Sequence, residues 1–469
     1  MQVLIDKEIR IYDPTDELLM WINSNTVIDN PLYKQMKMMG KDDIIRRTHI
    51  PEKLKLYTDR RGCITLPFGL LYGIWNMIKD HDVTVKFNDN GFISFKDDEP
   101  ILYPYDYQEE ALEAMLKAKG GVLKAPCRSG KTMVGINIAK RLGKKTLWLC
   151  HTGDLLRQAK DDFLKVYPNA KIGLTTKGQL EIGEDITIST VQTMDKIDPR
   201  LYEDEFDVVI IDECHHCVSS PTQTKMFGRV ISNINARYKY GLTATPTRSD
   251  KMDKAMYAYI GMSPRGGFEP AHEIPASKVK KIEAIHEKFE IESGYNTEMM
   301  YKLYDASGMM NYVKLINELI DNSTRTDKII ANIKDCHKQH RKQCVLSSRK
   351  SHCQEIVAKL NSEGVKAVLC TGDVKDKIRK DIIDQNIEWD VLVATYSLLK
   401  EGLTINALDT LHMATPFKDG NLASQCVGRI EGYLENKNLP IAYDYVDVDI
   451  PYCIKRFDDR RRALKKRKK

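Results

Sequence analysis

From residue 103 onward, short apolar runs rich in β-branched residues alternate with helix-length segments, and few folds accept that rhythm. The first set is GVLKA (121–125), TLWLC (146–150), ITIST (186–190), DVVIID (207–212) and YGLTAT (240–245). A Pro/Gly-rich stretch, SPRGGFEPAHEIP (263–275), marks the edge of a domain. A second set follows it: QCVLSS (343–348), KAVLCTG (366–372), DVLVATY (390–396) and DTLHMAT (409–415). Runs that are apolar throughout belong to strands buried on both faces, and βαβ connections make such sheets parallel. The expected fold is therefore α/β with two parallel-sheet lobes, residues 101–275 and 276–454. Residues 1–100 lack this rhythm and read as a small mixed α+β accessory domain. Two similar α/β halves imply a cleft between them.

Charge is distributed unevenly. The chain carries +6 overall, but residues 455–469, KRFDDRRRALKKRKK, hold ten Lys/Arg against two Asp, or +8, leaving −2 for residues 1–454. Such a run reads as a solvated, disordered tail able to touch nucleic acid phosphates, or as a localisation signal. The N-terminus MQVLIDKEIRIYD has charges spaced through it, unlike a signal peptide, and no apolar run reaches membrane-spanning length. The expectation is a cytoplasmic protein without membrane partners, whose 11 cysteines are reduced thiols.

Between the GVLKA strand and the helical stretch GKTMVGINIAKRLG lies APCRSGKT (125–132). It fits the phosphate-loop pattern G-x-x-x-x-G-K-[ST] at Gly130, Lys131 and Thr132, with Ala125 in place of the first glycine. Such a loop presents backbone N–H groups and a helix N-terminus to phosphates. Ala125 is expected to offer the same N–H as a glycine there. Downstream, DVVIIDECHH puts Asp212 and Glu213 at the C-terminal end of a buried strand, the edge where α/β sheets bind ligands. Asp212 with Thr132 suits Mg²⁺, and Glu213 suits activation of a water, as in-line phosphoryl transfer from ATP requires. Arg128 and Ser129 complete the loop, Arg128 with no assigned role.

With these residues in place, the chain resembles the superfamily 2 helicases and translocases of the DExH type, with DECH (212–215) as the namesake box. The resemblance runs in order over about 350 residues. PYDYQEEAL is similar to the adenine-reading motif and implies Gln108 as its glutamine, Tyr105 standing where many members have arginine. LWLCHTGDLLRQ and ISTVQT resemble strand-gripping motifs, implying His151, Thr152, Gln158, Thr190 and Gln192 as nucleic acid contacts. GLTATPTR resembles the motif that couples hydrolysis to movement through Thr243 and Thr245. In the second half, VLSSR, CTGD and ATYS imply strand contacts at Ser348, Arg349, Thr371, Gly372 and Thr395. ATYSLLKEGLTIN implies nucleotide contacts at Glu401 and Gly402, with Thr404 replacing the usual aspartate. QCVGRIEG (425–432) resembles the arginine-finger motif, with Gln425 and Arg429 as catalytic residues beside Lys131, Asp212 and Glu213, and Gly432 in place of the second arginine.

The resemblance implies two RecA-like lobes using ATP and Mg²⁺ to move along nucleic acid, as a monomer. Among substrates it favours DNA, and branched DNA in particular, in recombination, repair or replication, because NPLYKQMKMMG and LPFG look like N-terminal modules of phage members. A phage-encoded member would act in the host cytoplasm. An RNA helicase, an ATP-controlled clamp with decayed hydrolysis and the motor subunit of a restriction system are alternatives. Two His/Cys groupings match no closed zinc spacing: Cys214–Cys217 overlaps the hydrolysis box, where a metal would compete with it, and Cys336–Cys353 reads as exposed helix histidines with buried thiols. Tyr57, Phe68 and Trp75 lie among basic residues and read as core aromatics more readily than as base-stacking ones.

Overall fold

The computed structural model describes residues 1–467 apart from 61, 127, 177, 249, 305–307, 384 and 398–404. It divides into two compact units, Met1–Lys278 and Val279–Lys469. Among the described residues, no helix is long and apolar enough to cross a membrane.

The first unit joins two sheets. A five-stranded sheet is formed by β1 (Gln2–Ile5), β2 (Glu8–Tyr12), β5 (Thr58–Arg60), β6 (Cys63–Pro67) and β7 (Asp82–Val85), in the spatial order β5-β6-β2-β1-β7. Its pairings are antiparallel except β1 with β7. The ribbon β3 (Val27–Asp29) and β4 (Lys53–Lys55) stands apart from it. The second sheet has seven strands: β8 (Gly121–Lys124), β9 (Thr146–Cys150), β10 (Ile172–Thr175), β11 (Ile186–Thr190), β12 (Val208–Asp212), β13 (Tyr238–Thr243) and β14 (His272–Glu273). They are all parallel, in the order β10-β11-β9-β12-β13-β8-β14. Every residue of β9 and β12 is buried, as two-sided burial under helices demands.

These two sheets share one hydrophobic core, which runs from Val3, Ile9 and Leu66 to Met256, Tyr257 and Met262. The junction is the segment LPFG. A Cβ on Gly69 would lie 2.5 Å from the Ala258 carbonyl and 2.6 Å from that of Tyr257, and the Met262 N–H donates to the Gly69 carbonyl at 2.9 Å. Gly73 is equally tight against Trp21 and Met262. Glycine is required at Gly69 because backbone meets backbone there, whereas Gly73 is pressed by side chains.

Lys239 on β13 lies beneath this junction, 1% exposed. Its Nζ is 3.3 Å from the Ile231 carbonyl, 3.4 Å from that of Lys7 and 5.2 Å from the Phe68 ring. Burial pushes its ammonium down to about 7, against the opposing pull of the Glu8 and Asp6 carboxylates.

The second unit holds a six-stranded parallel sheet: β15 (Ile285–Ile291), β16 (Gln343–Ser347), β17 (Ala367–Cys370), β18 (Val391–Thr395), β19 (Thr410–Met413) and β20 (Ile441–Asp447), in the order β15-β20-β19-β16-β18-β17. With two parallel-sheet units and a mixed N-terminal sheet, the architecture is the one the strand rhythm implied.

Three local expectations are corrected. The basic C-terminal run is no disordered tail: residues Pro451–Arg467 form a helix that buries Cys453, Phe457, Arg460 and Leu464, spaced three or four apart. Arg460 Nε and Nη2 donate to Asp444 of β20 at 2.8 and 2.6 Å, both side chains being 1% exposed. Net charge counts residues and says nothing of which face each occupies. Trp75 is not core but 42% exposed, because Ile74 and Ile78 take the inward positions of the helix Leu71–Ile78. His352 is no exposed helix histidine: it is buried between the Thr326 and Ser347 hydroxyls, at 3.2 and 3.0 Å.

Removing one partner of a buried ion pair strands the other charge, so Arg460→Met is expected to destabilise the second unit by about 3–5 kcal/mol. Urea unfolding followed at Trp389, the one tryptophan after residue 279, measures it. Lys239 predicts a pH effect of definite sign. Its folded value lies below that of the unfolded chain, so the unfolded state binds the extra proton between about pH 7 and 10. Stability of the first unit should rise with pH across that window, and Lys239→Met should flatten the rise in urea midpoints.

Candidate nucleotide and strand-contact site

In the first unit the motif residues fall at the C-terminal ends of five adjacent strands. Across the sheet they run Thr190 on β11, His151 after β9, Asp212 and Glu213 at β12, Thr243 on β13 and the phosphate loop after β8. Segments far apart in sequence become neighbours because parallel strands put all their C-terminal ends on one edge.

The loop between β8 and the helix Lys131–Leu142 turns through two left-handed residues, Arg128 (φ 66°) and Gly130 (φ 70°). A Cβ on Gly130 would sit 2.2 Å from Gln108 Nε2. Gln108 is itself buried and clamps the loop: Nε2 donates to the Ser129 carbonyl at 2.8 Å, while Oε1 accepts from the Tyr105 N–H at 2.8 Å. One amide hydrogen and one lone pair of Gln108 remain for a ligand. Ala125 departs from expectation. Its N–H donates to the Thr243 carbonyl at 2.9 Å and extends the β8–β13 ladder, so the loop's anion-facing donors come from later residues.

Lys131 Nζ reaches across to Glu213 Oε1 at 2.6 Å. Glu213 takes φ 47°, a left-handed conformation costing a non-glycine residue about 1 kcal/mol or more, which turns its carboxylate back over the sheet edge. Burial lifts both carboxyls of the Asp212–Glu213 pair, and Lys131 then divides them. Asp212 stays above the ordinary range, while Lys131 and His215 hold Glu213 well below it. Among the described residues the buried Ser129 hydroxyl and Glu213 Oε2 have no hydrogen-bond partner, His215 Nδ1 standing 3.4 Å from the latter. A donor and an anionic acceptor beside a glycine turn and a helix N-terminus fit a nucleoside triphosphate and its water. Thr132, in the helix's first turn, and Asp212, at the end of β12, are the oxygen-bearing residues that could hold Mg²⁺.

Two histidines outside the expected set extend this centre. His215 Nδ1 lies 2.8 Å from Thr243 Oγ1 and 3.4 Å from Glu213 Oε2, joining the acidic box to the TAT segment. The Thr245 N–H donates to the same Thr243 hydroxyl at 3.1 Å. His216 stacks on His151 with centroids 4.9 Å apart, and Gln192 Nε2 lies 3.5 Å from His151 Nδ1. Burial lowers both His151 and His215, and at His215 the Glu213 carboxylate pulls the other way. The pair His215–His216 directly after the acidic box was the available signal. Cys214 and Cys217 are buried, and burial raises both thiols, as suits packing.

Other motif residues have local duties. Thr152 and Thr190 cap helices through their hydroxyl oxygens, Thr190 also pairing with the Thr193 hydroxyl at 2.9 Å, and Gln158 hydrogen-bonds Asp162. In the second unit Thr371, Gly372 and Thr395 lie at the C-terminal ends of β17 and β18. Ser348, after β16, is held by the Thr415 hydroxyl at 2.9 Å, and Arg349 Nε donates to Asn317 at 3.2 Å. Gln425 and Arg429 lie on and at the end of the helix Gly420–Gly428. Gly432 is locked by an antiparallel bridge to Lys281, and its carbonyl accepts from Lys437 Nζ at 2.9 Å. Glu401, Gly402 and Thr404 lie outside the described residues.

Comparison with known proteins places two families on the chain. Residues 101–248 match the family described as type III restriction enzyme, res subunit, and residues 324–431 match the helicase conserved C-terminal domain. A putative ATP-dependent RNA helicase of Acanthamoeba polyphaga mimivirus is 27% identical over 372 residues, 77% of this chain and 66% of that protein. A probable helicase of Escherichia phage T5 is 26% identical over 324 residues, 68% of this chain and 65% of its own length. The DNA 3'-5' translocase XPB2 of Sulfurisphaera tokodaii is 33% identical over 147 residues, 31% of each chain. The chain thus spans just under two thirds of the first two relatives.

The clamp on the loop predicts a specific rescue. Gly130→Ala forces a Cβ onto Gln108 at a positive φ, and nucleotide affinity should fall about tenfold or more, by titration with a fluorescent ATP analogue. Adding Gln108→Ala removes the clash and should recover part of the loss.

Proposed function

The chain belongs to the superfamily 2 helicases, and from that premise we propose that it is an ATP-driven motor that moves along DNA and remodels forked or branched junctions. The observation that carries this reading is the continuous path through Glu213. On one side Glu213 binds Lys131 of the phosphate loop; on the other, its neighbours His215 and His216 reach Thr243 and His151. A change in the charge facing Lys131 therefore reaches the coupling and strand-contact segments through direct contacts.

In this proposal Lys131 leaves Glu213 for the terminal phosphates of ATP, and Ser129 and the first-turn N–H groups hold those phosphates. Thr132 and Asp212 hold Mg²⁺, which when bound neutralises charge on the β- and γ-phosphate oxygens. Glu213, released from Lys131, orients and deprotonates the attacking water. Loss of its ammonium partner shifts His215 against Thr243, and the His216–His151 stack transmits the shift to Gln192. Arg429 contributes to hydrolysis as the sole arginine of its motif, Gly432 having replaced the other. Contacts to a phosphate backbone carry little sequence information, so binding is salt-dependent and weakly sequence-dependent.

The mimivirus relative's name favours a second reading, movement on RNA, and the archaeal translocase's name favours DNA. A panel of single-stranded, duplex, forked and four-way-junction DNA and RNA, assayed for ATPase and unwinding, separates them. Stimulation by forked or junction DNA above matched RNA is expected, and the reverse order overturns the DNA proposal. Glu213→Gln and Arg429→Ala should each lower turnover about 10³-fold or more while sparing nucleotide binding. If the parent hydrolyses no more ATP than Glu213→Gln on any substrate, the protein is a binding clamp. His215→Ala should keep ATP binding but lose most of the stimulation by nucleic acid.

A further inference from the structure

Outside the motif residues, the second unit has an open cleft of about 560 Å³, lined by Tyr304, Lys418, Tyr452, Lys455 and Arg456 among others. It lies on the same sheet edge as the expected strand contacts. Along that edge Thr371, Thr395 and Ser348 follow β17, β18 and β16, the next strand β19 leads to Lys418, and β20 leads to Tyr452 and Lys455. Strands β19 and β20 are the next two beyond β16, so the cleft residues follow the row of expected contacts in strand order.

Its chemistry is cationic and aromatic. Lys418 and Lys455 are exposed and have no ion-pair partner among the described residues. Two of the nearby acids are engaged elsewhere, Asp419 capping the helix Gly420–Gly428 and Asp459 binding Arg456 and Arg462, while Asp458 is exposed on the same helix as Lys455. Arg456 is 9% exposed, its guanidinium lies 4.7 Å from the Tyr452 ring, and its Nε–H is buried without an acceptor among the described residues. Tyr304 stands at the rim, 39% exposed. A ring offers a stacking face to any unpaired base, and ammonium groups beside it meet the flanking phosphates. Bases within a duplex are stacked on each other and offer no such face.

We infer that this cleft is an additional binding site for single-stranded DNA, in which an unstacked base lies on the Tyr304–Tyr452 side and its flanking phosphates meet Lys418 and Lys455. Arg456, stacked against the Tyr452 ring, holds that ring in place. The inference rests on the reading of the chain as a DNA motor and lengthens the track that its motif residues mark.

The test is fluorescence anisotropy of the full chain with a labelled single-stranded DNA oligonucleotide, titrated over a series of salt concentrations. Lys418→Ala/Lys455→Ala should reduce the slope of log affinity against log salt by about 1.4, two phosphate contacts at about 0.7 each. Tyr304→Ala should weaken binding about fivefold or more with the slope unchanged, and as an exposed position it tests the cleft without disturbing the fold. Arg461→Ala/Lys465→Ala removes the same charge from further along the same helix, outside the cleft, and should bind as the parent does. ATPase without nucleic acid should be unaltered in all of these. A parent that binds no nucleic acid defeats the motor reading itself. A parent that binds DNA while the cleft variants match it, or while the control variant loses as much slope, overturns this inference alone. Loss confined to an RNA oligonucleotide overturns the assignment to DNA.

Discussion

The ion pair between Lys131 and Glu213 is the contact on which the site turns. It ties the end of β8 to the end of β12 across β13, and it exists because a parallel sheet brings those ends to one edge. The left-handed conformation of Glu213 is the local cost of aiming an acidic side chain back at the loop. With Lys131 opposite it, Glu213 is held ionised beside a more reluctant Asp212, so two adjacent carboxyls of like chemistry receive different environments. That division is what separate metal-holding and base roles require.

Around this pair the structure favours short connections. Gln108 braces the loop from below, and Ala125 is stitched to Thr243, so the loop's position is coupled to β13 by backbone as well as by side chains. His215 adds a side-chain bond to the same threonine. Thr243 thus meets the nucleotide loop, the acidic box and the segment that follows it. A residue with three such partners responds to a change in any one of them.

The accessory sheet is part of the first unit's core, held by the close approach of Gly69 to the helix end near Tyr257 and Ala258. Lys239 lies fully buried under that junction, an arrangement tolerated because two carbonyls and a ring face its ammonium. In the second unit the corresponding anchor is ionic, Arg460 on Asp444, which holds the C-terminal helix against β20 and leaves Lys455 on the side of the cleft.

The strands, their parallel pairing and the position of the phosphate loop were legible in the sequence, because two-sided burial requires continuous apolar runs and the loop's chemistry is contiguous. Asp212 and Glu213 were legible for the same reason, ending a run of four buried residues. What the sequence could not determine were the partners. That Ala125 gives its N–H to Thr243, that Gln108 clamps Ser129, that His216 stacks on His151, and that Arg460 leaves a basic run for the core all depend on residues distant in the chain. Periodicity reports which face of an element is apolar; only the packed sheet decides which polar group meets which, because hydrogen bonds act over about 3 Å and that proximity is made by topology.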